Sequence, residues 1–251
     1  MRRRGRFAAG LAVLAASVLL CSAEAAQAPL RFAMVTTKQS GPHWSTTVVY
    51  PRFDGGSPLA ALANHTLATR EVAAAVTFGL TAAEQFKKLG PPTADYFHDA
   101  GATVSLTDPA LLSAYFETEE YSGGAHPNRY YTGYTFGIVR GRPAPVTLQD
   151  LFRPGVDGAK TASDLLIARL RQNPNATFVR DGTVTSIEFN GVAGSQPVGA
   201  TAFVVTPRAI VFLLPPYAVG AYVDGSFVVK IPFDAFGGRL DPAGPLQPVL
   251  P

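Results

Sequence analysis

The sequence predicts an α+β fold, a mainly antiparallel sheet packed with a few helices. Three observations carry that expectation. Strand-like stretches outnumber helical ones, and the helical ones are grouped rather than alternating with strands. Two long alternating stretches flank EEYSGGAHPNRYY (residues 119–131), whose glycines and proline read as the connection of an antiparallel pair.

The chain opens with four arginines, Arg2, Arg3, Arg4 and Arg6, then an apolar run from Phe7 to Cys21, then small residues. This is the layout of a secretory signal peptide over residues 1–25, with cleavage expected before Ala26. After a short lead, WSTTVVYPRF (44–53) is strand-like, rich in β-branched and aromatic residues. Asp54-Gly55-Gly56-Ser57-Pro58 is a turn that also starts a helix, with Ser57 as cap and Pro58 in the first turn. Leu59, Leu62, Ala63 and Leu67 share one helical face. The stripe slips after Arg70, so one bent helix or two helices fit, the second piece running over 81–89 and stopping before Gly90-Pro91-Pro92.

From Ala102 the texture becomes strand-like. ATVSLTD (102–108) is short. SAYFETEEY (113–121) alternates, with Tyr115, Glu117, Glu119 and Tyr121 on one side and Ala114, Phe116, Thr118 and Glu120 on the other. RYYTGYTFGIV (129–139) alternates too. VTLQDLFRPG (146–155) leads to a helix near 159–173, whose stripe is Ala162, Leu165, Leu166 and Leu170. FNGVAGSQP (189–197) is loop-like. Strands are expected over 201–206, 209–214 and 225–233.

Charge and cysteine content exclude several classes. The whole chain has 21 basic and 18 acidic residues. Four and one of these lie in residues 1–25, so the remainder carries 17 of each sign and no basic block that would suit nucleic acid. The single cysteine, Cys21, lies in the leader, so the mature chain has no disulfide or thiolate chemistry. Lipid attachment at Cys21 is disfavoured because Leu20 stands where processing needs a small residue. No later apolar run is long enough to span a bilayer. The mature chain is therefore expected outside the cytoplasm, periplasmic or secreted.

The chemistry-bearing residues are few. His43, His65, His98 and His126 have no zinc-site spacing, and neither HExxH, GxSxG nor a phosphate-binding glycine loop occurs. No metal or cofactor is expected. Glu119, Glu120 and His126 form the best local acid–base group, but it lacks a nucleophile and an oxyanion device. The preferred reading is that His126 fixes the loop through a backbone carbonyl, with Glu119 and Glu120 as strand residues facing solvent or a basic side chain. Tyr115, Tyr121, Tyr130, Tyr131 and Tyr134 could form a stacking platform or fill one sheet face. Gly123 and Gly124 permit positive φ or close backbone approach.

Together these stretches resemble a family of exported bacterial domains of unknown function. It is shared by the outer region of the lysozyme-sensing anti-sigma factor RsiV and the non-catalytic region of the peptidoglycan deacetylase PdaC. The likeness rests on Tyr121, Gly123, Gly124, Ala125 and His126, then Leu148, Asp150, Leu151 and Phe152, then Tyr217, Tyr222, Gly225, Ile231 and Pro232. It implies a signal peptide (1–25), a small strand-plus-helix companion domain (26–100) and an RsiV-C-terminal-like α+β domain (101–251). No sigma-binding segment or deacetylase domain accompanies them here. The resemblance implies a non-catalytic cell-envelope binding domain, its partner a lysozyme-like muramidase or a peptidoglycan fragment. The contact would fall on Tyr121, Gly123, Gly124, His126, Asn128, Tyr130 and Tyr131. The rivals are an envelope glycan or ester hydrolase using His126 with Glu119 or Glu120, and a structural envelope protein.

Overall fold

The computed structural model describes residues 28–189 and 201–250. The expected leader, Cys21 within it, and all but the first residue of the expected loop at 189–197 lie outside the described residues. Strand β1 (Phe32–Gly41) pairs antiparallel with β2 (Trp44–Phe53). The sequence showed only a lead here, because β1 is exposed on both faces over most of its length and carries no hydrophobic alternation.

Helix α1 (Pro58–Leu89) comes next as one unbroken helix of 32 residues. Ser57 Oγ accepts the amide of Ala60 at 3.1 Å, and Pro58 takes the first turn. Gly90 closes the helix at φ 78°, its amide donating to Phe86 O at 3.0 Å. The stripe that slips after Arg70 does continue. Its next members are Glu71, Ala75, Phe78 and Ala82, all buried at helical spacing. A buried glutamate and small alanines hide it from a hydrophobicity reading.

Because α1 returns the chain across the sheet, β3 (Tyr96–Asp108) pairs parallel with β2. Then β4 (Leu111–Tyr121), β5 (Asn128–Val139) and β6 (Arg142–Pro145) continue antiparallel, giving a six-stranded sheet in sequence order. The expected division between residues 100 and 101 falls inside β3, so strands from both sides of it share this sheet. Asp150 closes the turn before α2: its Oδ2 accepts the Thr147 amide at 2.8 Å and hydroxyl at 2.6 Å. Helix α2 (Gly158–Leu170) is capped by Asp157, and a single turn, α3 (Thr177–Arg180), lies beyond it.

Strands β7 (Ala202–Val205), β8 (Ala209–Leu214) and β9 (Phe227–Pro232) form a second, antiparallel sheet. Every residue of β8 is buried, and its two faces serve different cores. Ile210, Phe212 and Leu214 pack with Leu166 and Leu170 of α2. Val211 and Leu213 pack with Tyr131 of the large sheet. On the far side of that sheet, Leu112, Phe116, Tyr134 and Phe136 pack with Leu59, Ala63, Leu67 and Ala75 of α1. The layers therefore run α1, large sheet, small sheet, α2.

The two sheets touch closely at Gly133, where a Cβ would overlap the carbonyl oxygen of Phe203. Ser113 Oγ links them by accepting the amide of Val205 at 2.9 Å.

Candidate functional site

The site lies where β4 hands over to β5. Glu120 and Asn128 are the last paired residues, and residues 121–127 cross between them. Gly123 (φ 101°) and Gly124 (φ 118°) take backbone conformations that a side chain would strain, which allows so tight a return. The Tyr121 hydroxyl donates to Gly124 O at 3.2 Å and staples the loop from inside. The Tyr121 ring lies 6.1 Å from Phe97 and 6.4 Å from Tyr96, which ties the loop base to β3.

His126 is gripped from two directions. Its Nδ1 donates to Pro127 O at 2.8 Å, and the Tyr222 hydroxyl donates to the same carbonyl at 3.0 Å. The imidazole stacks on Tyr222 with ring centroids 4.0 Å apart and an interplanar angle of 27°. With Nδ1 committed as donor, Nε2 of the neutral ring accepts from the Tyr217 hydroxyl, 3.4 Å away. Tyr217 and Tyr222 come from the segment between β8 and β9, about ninety residues downstream. Sequence reading left their place open. The signal that could have found them is the pair of tyrosines around Val219-Gly220, just after Pro215-Pro216.

Tyr217 is the most unusual residue of the cluster. Its φ is 69°, uncommon for a bulky aromatic, in a turn closed by the Ala218 amide on Pro215 O at 3.2 Å. Glycine ordinarily takes that turn position. The ring is 58% exposed, and Val223, beside Tyr222, is 91% exposed. The turn thus holds a bulky aromatic largely exposed on strained backbone.

Not every expected residue reaches this surface. Tyr121, Gly123, Gly124, His126 and Asn128 gather at this end. Tyr131 does not: it is 5% exposed and packs between the sheets, edge-on to Tyr115. Alternation decides this, because its side of β5 faces the small sheet. Tyr130 points to the α1 side, its hydroxyl 3.4 Å from Glu120 Oε2, and burial next to that carboxylate pushes the phenol up.

The acid–base grouping of His126 with Glu119 or Glu120 is not joined by any hydrogen bond among the described residues. Glu119 and Glu117 flank Arg129 at 3.6 Å and 3.4 Å. Glu120, on the opposite face, accepts from His98 Nδ1 at 3.0 Å. His98 is the partner that sequence reading missed: it meets Glu120 only through the register of β3 on β4. Deeper under α1, Tyr134 donates to Glu71, whose carboxyl burial pushes above the usual carboxylate range. No group of three or more metal-ligating side chains occurs among the described residues.

The fold and this cluster define an α+β domain with an aromatic–histidine surface at one sheet end. Residues 149–234 match a protein family described as a protein of unknown function, DUF3298. Two solved structures share the architecture. One is a DUF3298 family protein from Pseudomonas aeruginosa PAO1, at 17% identity and a TM-score of 0.56, covering 86% of this chain and 96% of that one. The other is a member of the same family from Bacteroides fragilis NCTC 9343, at 17% identity and a TM-score of 0.52, covering 87% and 96%. No curated protein matches the chain.

Proposed function

We propose that this chain is an exported, non-catalytic binding domain of the cell envelope, in the periplasm or secreted after loss of a leader at residues 1–25. Its contact surface is the His126–Tyr217–Tyr222 cluster with the 121–128 loop. The observation that carries this reading is Tyr217, an exposed ring on positive-φ backbone, hydrogen-bonded to His126. Tyrosine is among the side chains enriched at the energetic centres of protein contacts. The partner is a lysozyme-like muramidase or a peptidoglycan fragment. No helix among the described residues is long and apolar enough to cross a membrane.

The test is calorimetric titration of the chain from Ala26 onward with a c-type lysozyme and, separately, with soluble muropeptides. Micromolar binding of lysozyme, weakened at least about tenfold in folded Tyr217→Ala, supports the reading. Binding of muropeptides alone moves the partner to the glycan. No heat with either removes both. The hydrolase alternative would show itself as turnover of glycan or ester substrates that His126→Ala abolishes.

A further inference from the structure

A second site lies on the opposite side of the large sheet from Tyr131. The C-terminal half of α1 and the end of β4 border a groove of about 430 Å³, lined among others by Thr77, Phe78, Thr81, Gln85, Glu120 and Ser122. Its lining combines an aromatic ring, small apolar side chains, hydroxyls and one carboxylate. No basic side chain is among the lining residues.

Glu120 is the one ionisable side chain of the lining, and its Oε1 has no hydrogen-bond partner among the described residues. Among the described residues, both hydrogen bonds to Glu120 fall on Oε2, from His98 Nδ1 at 3.0 Å and the Tyr130 hydroxyl at 3.4 Å. His98 is only 2% exposed, and its Nε2 is buried with no hydrogen-bond partner among the described residues. Since Nδ1 donates to the carboxylate, Nε2 of the neutral ring is an acceptor. The ring is held between Phe78, at 5.6 Å, and Glu120, both of which line the groove. A partly desolvated carboxylate with one oxygen unpaired favours a cationic donor. We infer that this groove binds a small organic cation, a primary ammonium on a short apolar stem, with the ammonium on Glu120 and the stem along Phe78.

The test titrates the chain from Ala26 onward with n-butylammonium, monitored by amide and imidazole NMR shifts. n-Butanol serves as the uncharged match. Two variants accompany it: Glu120→Gln, which keeps the hydrogen-bonding shape, and Ala74→Trp, which fills the groove from an exposed helix position. The expected result is saturable shifts at Phe78, Thr81, Ser122 and the His98 ring. Glu120→Gln should weaken them at least about tenfold and Ala74→Trp should abolish them. Absence of saturable shifts, equal binding of n-butanol, or unchanged binding by folded Glu120→Gln would each overturn the inference.

Discussion

At the scale of single residues, Tyr217 holds a bulky side chain on positive-φ backbone. Its φ of 69° places a Cβ where glycine would relax. Tyr217→Gly is therefore expected to keep the fold and raise its stability by about 1 kcal/mol, less what the lost ring packing on His126 and Tyr222 contributed. Under the proposed function it should also bind lysozyme more weakly. Urea unfolding beside lysozyme titration checks both halves, and a variant that binds normally would remove Tyr217 from the surface.

Glu71 is a second residue whose chemistry reads out directly. Burial raises its carboxyl above the unfolded value of 4.5, so the folded state holds the proton more tightly than the unfolded chain. Its contribution is fully present below that value and is lost as pH rises through the folded pKa. Glu71→Gln should consequently gain stability over the parent as pH climbs from about 4.5 toward neutrality. Thermal melts across that window test it, and parallel curves for the two proteins would contradict it.

His98 shows why part of the site stayed illegible. Its side chain meets Glu120 across two strands, and nothing in the spacing of 98 and 120 reveals the register that joins them. Glycine placement was more readable: Gly123 and Gly124 permit positive φ or close backbone approach, and both take positive φ.

At the scale of elements, α1 and β1 mark the two limits of periodicity. The start of α1 was legible because capping is local chemistry: Ser57 and Pro58 declare it. Ser57→Ala should cost about 1 kcal/mol, read from the urea midpoint at unchanged slope. The middle of α1 was not legible, because its stripe passes through Glu71 and alanines whose burial depends on Tyr134 and the sheet above them. Strand β1 was missed for the opposite reason, since an edge strand exposed on both faces has no pattern to read.

The β5–β7 approach gives the sharpest element-level expectation. Gly133→Ala must push β7 away from β5, because the obstructing atom is backbone oxygen and not a flexible side chain. A loss of about 1–3 kcal/mol is expected, measured by denaturant unfolding. A neutral Gly133→Ala would mean that the sheets slide freely.

At the scale of the whole molecule, the layering explains how distant segments form one surface. The small sheet packs on the large one through β7 and β8, so the segment after β8 ends beside the β4–β5 loop. The α+β class was legible from strand-rich texture and grouped helices. The order of layers was not, because Val211 and Phe212 are equally apolar yet face different cores. The same stacking puts Tyr131 in the interior and Tyr217 outside, exchanging an expected contact residue for one whose place sequence left open.

Whether the aromatic–histidine surface meets a lysozyme-like partner is decided most sharply by a hydrogen-exchange footprint of the chain from Ala26 onward with saturating c-type lysozyme. Protection is expected at residues 121–128 and 215–223 and nowhere else. Protection at other segments, or none at a lysozyme concentration that saturates any micromolar site, would contradict the proposed surface.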